Sequence, residues 1–570
     1  MATLKSISID RWSISELNNI GHCVTETATR MPDAVAVAAP AKKQKKKIQL
    51  GEKLRYDTLT FLELENSSNQ LALGFHRMGI GPGTRIALMV PPGLEFVKHV
   101  FALFKSGTTV ILIDPGMGKE NMISCLSEVD PKGIVGIPKA HLARVLFRRQ
   151  FPKCKLNVVV GGIFPKCKSA KAFFKLNPNE FDNVNISSKD DAAIIFTTGS
   201  TGPPKGVLYQ HQIFINQVEQ IREYYKILPG NVDVSGFPLF ALFNSAMGVT
   251  TVFPEMDATR PAEIHPPNLI DAVSQFSATQ SFGSPALWNT VSKFCLQNRV
   301  ELPSIQTVLT AGAPVAPDIL EQTKKIISSD GEIHTPYGAT ESLPVASNSA
   351  TTVLEETASK TRNGAGTCVG HRFEGIQWKL IEIHDDPITD ISEITEVQPG
   401  SVGELIVQGK VVTRRYVTRV SANADHKIAD GELIWHRMGD VGYFDDQERF
   451  WFCGRKGHRV RTSDGPLFTI PCEGIVNQHP SIYRSALVGI GDVGNQRPIV
   501  ILEPHREFFP RNESDQNRLI SEVREIMSEH WQTNGIQEIL IRQKLPVDIR
   551  HNSKIFREKL SVWAQQQLNN

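Results

Sequence analysis

The sequence predicts an α/β protein: a large N-terminal domain of parallel and mixed sheets covered by helices, a β-rich subdomain within it, and a small, mobile α+β C-terminal domain. Three observations lead there. Short apolar runs alternate with amphipathic segments through the first two thirds of the chain, as in TRIALMV (84–90), LEFVKHVFALFKSG (94–107) and TTVILID (108–114). Continuous apolar strands joined by helices imply a parallel sheet buried on both faces. After Gly403 the texture changes to short strands and turns (GELIVQG, WHRMGDVGYFDD, RFWFCGRK), and from His458 a compact mixed segment completes the sequence.

The domain organisation follows from length and linkers. At 570 residues the chain exceeds what one hydrophobic core usually supports. No Pro/Ser-rich linker or low-complexity tract separates the parts, so the domains should pack closely and move about a short joint. Residues 1–454 are assigned to the N-terminal domain, 455–457 to the hinge and 458–570 to the C-terminal domain.

Composition excludes several function classes. With 41% hydrophobic and 21% charged residues there is no disorder signature. A net charge of +2 without a basic stripe argues against nucleic-acid binding. The dense basic run is Lys42, Lys43, Lys45, Lys46 and Lys47, read as a solvated hairpin loop, with a foot on a membrane or anionic partner as the livelier alternative. Eight scattered cysteines form no C-x-x-C pair, and Cys154 and Cys167 fall in two copies of FPKCK, so reduced thiols are expected. Residues 1–20 carry charges among the apolar positions and offer no signal-peptide core, which points to a cytoplasmic protein. The uncharged stretch Val234 to Pro254 is long enough to span a bilayer. Pro238, Asn244 and Ser245 interrupt it and Thr250 and Thr251 begin a β-branched run, so a buried helix followed by a strand is expected instead.

The segment AAIIFTTGSTGPPKGVLYQH (192–211) carries the most chemistry. An apolar strand runs into Thr197, Thr198, Gly199, Ser200, Thr201 and Gly202, then Lys205 and Gly206. Glycines let backbone N–H groups approach phosphate oxygens, hydroxyls donate further hydrogen bonds, and lysine supplies a point charge. It is not a Walker A loop: Pro204 precedes the lysine and Gly206 stands where a magnesium-binding Ser or Thr would be. Another residue must then hold the metal.

The string TTGSTGPPKG resembles the signature loop of the adenylate-forming superfamily, which includes acyl-CoA synthetases, luciferases and peptide-synthetase adenylation domains. The other motifs follow in order. TAGAP (310–314) is similar to the family segment that packs on adenine, placing Gly312, Ala313 and Pro314 there. HTPYGATES (334–342) resembles the Y-G-x-T-E motif. The resemblance implies Tyr337 as an adenine platform beside Gly338, Thr340 near the α-phosphate, and Glu341 as the ligand of Mg²⁺, which neutralises charge on the departing pyrophosphate. HRMGDVGYFD (436–445) is similar to the T-G-D motif, whose carboxylate, here Asp440, accepts both ribose hydroxyls. Arg455 matches the hinge-motif arginine, but Gly457 and His458 stand where an aspartate is expected. LPVDIRHNSKIFREKL (545–560) matches the C-terminal lysine motif, with Lys554 implied to bind the carboxylate and α-phosphate as charge builds on phosphorus. Lys554, Thr340 and Lys205 are thus the expected catalytic residues.

Departures from the common pattern point to a subgroup. In PLFALF (238–243) Ala241 stands where many acyl-CoA synthetases have histidine, and PCEGI (471–475) lacks the second glutamate of P-x-E-I-E. With GSPALW (283–288), LFTIPCE and DIRHNSKIFREKL, the wording resembles the β-lactone synthetases of bacterial long-chain olefin biosynthesis. That implies a hydrophobic 2-alkyl-3-hydroxy fatty acid, activated by ATP and Mg²⁺ and closed by its own hydroxyl. The resemblance leaves open a complex with a pathway hydrolase and reductase and peripheral contact with a membrane. The alternatives are a medium- or long-chain acyl-CoA synthetase, which would use CoA, and a non-catalytic nucleotide-binding protein, which the retained Lys205, Glu341, Asp440 and Lys554 disfavour. An apolar acyl pocket is expected from Phe240 to Met247, Gly283 to Trp288 and Ala311 to Val315.

Overall fold

The computed structural model describes residues 12–42, 44, 46–197, 203–548 and 554–569. The stretch of alternating runs builds the first sheet. Its strands lie in the order Lys168–Ser169, Leu156–Val159, Gly133–Gly136, Arg85–Met89, Thr109–Leu112, Asp191–Phe196 and Gly206–Gln210. All neighbours are parallel except the last pair. Helices Leu94–Lys105 and Phe61–Arg77 pack together on one face. The second of these begins in a capping box: the Thr60 hydroxyl accepts from Glu63 N–H while the Glu63 carboxylate accepts from Thr60 N–H.

A second, nine-stranded sheet has a parallel centre, from Val35–Pro40 through Thr250–Val252, Val232–Val234, Gln280–Gly283 and Thr307–Thr310 to Glu332–Ala339. The hairpin Val35–Pro40 with Tyr56–Thr60 closes one edge, and exposed Lys46 and Lys47 lie on its loop; Lys43 and Lys45 lie outside the described residues. Phe240–Met247 is a buried helix and Thr250–Val252 a strand, as expected for the stretch that might have been taken for a membrane span. The largest core draws side chains from both sheets and the helices between them.

The third sheet is the β-rich subdomain, built on the antiparallel strands Gly403–Gln408, Leu433–Phe444 and Phe450–Arg455. Beyond a short 3₁₀ turn at Lys456–His458, a three-stranded sheet (Ile482–Ile490, Arg497–Pro504, Glu538–Ile541) packs with helices Thr469–Val476, Glu513–Ser528 and Arg557–Asn569 into a separate small core. All eight cysteines are free thiols.

In PCEGI the position of the second glutamate is taken by Ile475, which is fully buried, and Gly474 stands where the motif has isoleucine. A Cβ at this position would come within 2.6 Å of the Thr361 carbonyl oxygen, so glycine lets helix Thr469–Val476 lie directly on the large domain. Gln478 Nε2 donates to Arg362 O (2.8 Å) and Gln532 Nε2 to Gly364 O (3.1 Å) along the same contact.

Candidate active site

The strand Asp191–Phe196 delivers Thr197, whose backbone N–H donates to Lys205 O (3.0 Å); Lys205 N–H returns a bond to Thr197 Oγ1 (3.1 Å). The chain then runs back antiparallel along Gly206–Gln210. The segment bearing the candidate phosphate loop is therefore flanked by two antiparallel strands, with the next helix beginning only at His211. This differs from a Walker-type loop, which opens directly into a helix. Thr198, Gly199, Ser200, Thr201 and Gly202 lie outside the described residues.

Lys205 sits among groups that sequence motifs did not reveal. Its Nζ donates to His426 Nε2 (2.8 Å) and lies 5.0 Å from the Tyr416 ring centroid, while the Tyr416 hydroxyl donates to Glu341 Oε1 (2.7 Å). Burial lowers the Lys205 pKa, opposed by the Glu341 charge. Burial, followed by the Lys205 charge, pushes His426 down to about 3, so its imidazole is neutral and can accept the lysine proton donor. Lys427 is buried, donates to Thr413 O (2.5 Å) and is brought down to about 7 by desolvation. The Glu341 backbone carbonyl accepts from both Thr413 N–H and Thr413 Oγ1 (2.9 Å each), and Thr340 O accepts from Tyr209 OH (2.5 Å). The β-rich subdomain thus holds the Y-G-x-T-E turn from outside its own sheet.

Asp440 follows Gly439, which adopts a left-handed φ of 67°. Its Oδ2 accepts from the Tyr337 hydroxyl (2.5 Å) and its Oδ1 from Arg455 (2.7 Å), with Arg455 also donating to Met438 O (2.8 Å). Asp440 and Arg455 face each other across antiparallel strands, and the Asp440 charge raises the Arg455 pKa. Close approach also explains Gly338, where a Cβ would meet the Ser342 carbonyl oxygen at 2.7 Å, and Gly312 has φ 100° just beyond strand Thr307–Thr310.

Thr197, Lys205, Gly312, Ala313, Pro314, Tyr337, Gly338, Thr340, Glu341, Asp440, Arg455 and Lys554 all line one cleft of about 2800 Å³. Lys554 reaches it from the C-terminal domain. Its N–H donates to Asp548 Oδ1 (2.9 Å) and its carbonyl accepts from Asp548 N–H (3.0 Å), so the two ends of its loop are tied together. Three residues on, Arg557 pairs with buried Glu473 (2.6 Å), anchoring the segment to helix Thr469–Val476.

The acyl pocket departs from expectation in part. Phe240, Phe243, Ser284, Pro285, Ala286 and Ala311 to Val315 line the cleft, joined by Phe237 and Phe282; the Phe240 and Phe282 rings stack at 4.5 Å. Ala241, Met247, Leu287 and Trp288 are instead buried in the cores behind it, because a helix shows only one side to a cavity. Ala241, where a histidine was noted as missing, therefore does not face the cleft.

Comparison with known proteins decides the family. Residues 24–417 match the model of the AMP-binding enzymes, described as "AMP-binding enzyme". The chain belongs to the AMP-binding enzyme family. It is 40% identical to the olefin β-lactone synthetase of Xanthomonas campestris pv. campestris over 98% of this chain and 99% of that protein. It is equally similar, at 40%, to the olefin β-lactone synthetase of Stenotrophomonas maltophilia over 96% and 98%. At these values it belongs among the olefin β-lactone synthetases within that family. A long-chain-fatty-acid–CoA ligase of Escherichia coli is only 24% identical, over 76% of this chain and 79% of that one. Among solved folds, the amide bond synthetase McbA of Marinactinospora thermotolerans superimposes with a TM-score of 0.75 at 17% identity, covering 95% of this chain and 99% of that one. An O-succinylbenzoate coenzyme A synthetase of Bacillus subtilis gives 0.71 at 17%, covering 95% and 99%. These share the AMP-binding fold of large and small domains.

Proposed function

We propose that this chain uses ATP to activate a 2-alkyl-3-hydroxy fatty acid and closes it to a β-lactone. The carboxylate oxygen attacks the α-phosphorus and pyrophosphate leaves; the substrate's own β-hydroxyl then attacks the acyl carbon, AMP leaves, and the hydroxyl proton is lost. The observation that carries this reading is the meeting, in one cleft, of Lys205, Glu341, Asp440 and Lys554 from four separate segments beside a wall of Phe237, Phe240, Phe243 and Phe282. The polar groups suit a nucleotide triphosphate and the aromatic wall an alkyl chain.

Within this reading the ribose hydroxyls bond to Asp440, exchanging places with the Tyr337 hydroxyl, while Lys205 faces the phosphates and is oriented by neutral His426. Glu341 suits a hard cation: its carboxylate lies on the cleft with one oxygen fixed by Tyr416. Mg²⁺ held there would neutralise phosphate charge. Replacing Glu341 by glutamine is expected to raise the Mg²⁺ concentration for half-maximal pyrophosphate release by at least about tenfold. An unaltered Mg²⁺ titration removes Glu341 from the metal site.

Domain rotation about residues 455–457 belongs to the same proposal, with 1–454 and 458–570 moving as units. The joint is short, and Gly457 tolerates wide backbone change. Lys456 Nζ is meanwhile tied to Glu404 (3.1 Å) and His384 O (2.8 Å).

Mass spectrometry of products from the purified protein, ATP, Mg²⁺ and a synthetic 2-alkyl-3-hydroxy fatty acid, with and without CoA, tests the function. A CoA-independent product lighter than the acid by one water, formed with AMP, is expected. A thioester appearing only with CoA overturns lactone closure and leaves adenylation standing.

A further inference from the structure

Residues 131–179 contain eleven basic residues and no acidic one, in a chain whose overall charge is only +2. The basic positions are spread thinly enough that the lysine run at 42–47 had seemed the denser feature. The fold gathers them at one edge. Strands Leu156–Val159 and Lys168–Ser169 end the seven-stranded sheet, and helix Pro138–Leu146 lies against it. The loop between those strands is pinned to the helix: the Phe164 ring lies 5.6 Å from that of His141, and a Cβ on Gly162 would contact Pro138.

That edge is also apolar where it faces solvent. Ile163 is 92% exposed at the loop tip and Leu146 68% exposed at the end of the helix, with Leu142 and Val145 exposed beside it. Exposed Lys139, Arg148, Arg149, Lys155, Lys166 and Lys168 lie on the same helix and loop and on the segments adjoining them. The acids bordering the segment are engaged: Asp130 pairs with Lys153 and Glu180 with Arg77. The same helix also lines the cleft, at Lys139, Ala140 and Ala143, on a side adjoining its exposed one.

We propose that helix Pro138–Leu146 and the loop 160–167 form a docking surface for an anionic lipid bilayer, set beside the mouth of the cleft. Interspersed cations and protruding aliphatic side chains match a headgroup layer over acyl chains. A phosphate backbone alone would leave Leu142, Leu146 and Ile163 without a role, and a loop tip carrying an aliphatic side chain 92% exposed suits insertion below a headgroup layer better than the flat face of an acidic protein. Docking does not depend on which nucleophile completes the reaction, although an alkyl-chain substrate would give it a purpose.

Co-sedimentation of the full chain with vesicles tests it. Vesicles containing phosphatidylglycerol should bind the protein and pure phosphatidylcholine vesicles should not, with binding declining as salt rises. The variant Arg148→Glu/Arg149→Glu should lower the partition coefficient by at least about 30-fold. A second variant, Leu142→Ser/Leu146→Ser/Ile163→Ser, should lower it by at least about tenfold. Both alter exposed positions, and ATP–pyrophosphate exchange without vesicles should stay at the wild-type rate, which separates this proposal from the assignment of the reaction. Failure of the wild type to bind anionic vesicles, binding indifferent to both variants, or binding to soluble polyglutamate but not to vesicles would each overturn it.

Discussion

Replacing Lys554 by alanine is expected to slow pyrophosphate release by about 10²–10³-fold, the loss seen when one preorganised donor to a developing oxyanion is removed. Negative charge accumulates on the α-phosphorus oxygens as the carboxylate attacks, and the ammonium of Lys554, which lines the cleft, is worth most at that moment. The side chain belongs to a loop closed by two bonds between Asp548 and Lys554 and anchored by the Arg557–Glu473 pair, so truncation removes the charge without releasing the segment. The thermal midpoint should therefore move by no more than about 2 °C. ATP–pyrophosphate exchange measured alongside thermal denaturation checks both halves. Unchanged exchange would remove Lys554 from the chemistry; a large fall in midpoint would make its role structural.

Much of this site was legible before the fold because its residues sit in contiguous strings. The segment that begins at Thr197, the turn containing Tyr337 and Glu341, and the Gly439–Asp440 pair each declare themselves through glycine, hydroxyl and charge. Tyr416, His426 and Lys427 declare nothing of the kind. They are ordinary residues in a polar stretch, and only the packing of the β-rich subdomain against Lys205 and Glu341 gives them a part. The acyl pocket was legible only in part for a related reason. The uncharged, interrupted stretch identified Phe240–Met247 as buried, but burial in a core and burial along a cleft have the same hydrophobic signature, and Ala241 and Met247 face the core. The PCEGI departure shows the converse: the missing glutamate is replaced by buried Ile475, and Gly474 beside it is a contact that needs the absence of a side chain. The basic edge at residues 131–179 escaped notice because charge density along the chain is not charge density on a surface.

Arg437→Ala should be strongly destabilising, costing about 3 kcal/mol, because it removes the guanidinium that satisfies both oxygens of a buried carboxylate and leaves it only Lys456. Arg437 and Glu404 are both essentially inaccessible to solvent and are joined at 2.6 Å through one nitrogen and 3.2 Å through another. The remaining guanidinium donors satisfy His384 O and Asp386 O, so alanine also removes a partner from each carbonyl, of which His384 O keeps Lys456 Nζ. Urea unfolding should show the loss. Glu404→Leu in the Arg437→Leu background should restore part of it, since an apolar pair of similar volume avoids the desolvation that a lone charge suffers. The expected pattern has a consequence for the joint between domains. Glu404 also accepts from Lys456, immediately after the last strand of the β-rich subdomain, so the carboxylate that is satisfied internally by Arg437 can release Lys456 without being abandoned. Lys456→Ala should consequently cost far less stability than Arg437→Ala. Equal losses would mean that Glu404 depends on both cations, and that a rotation breaking the Lys456 contact would carry a penalty large enough to lock the small domain in place.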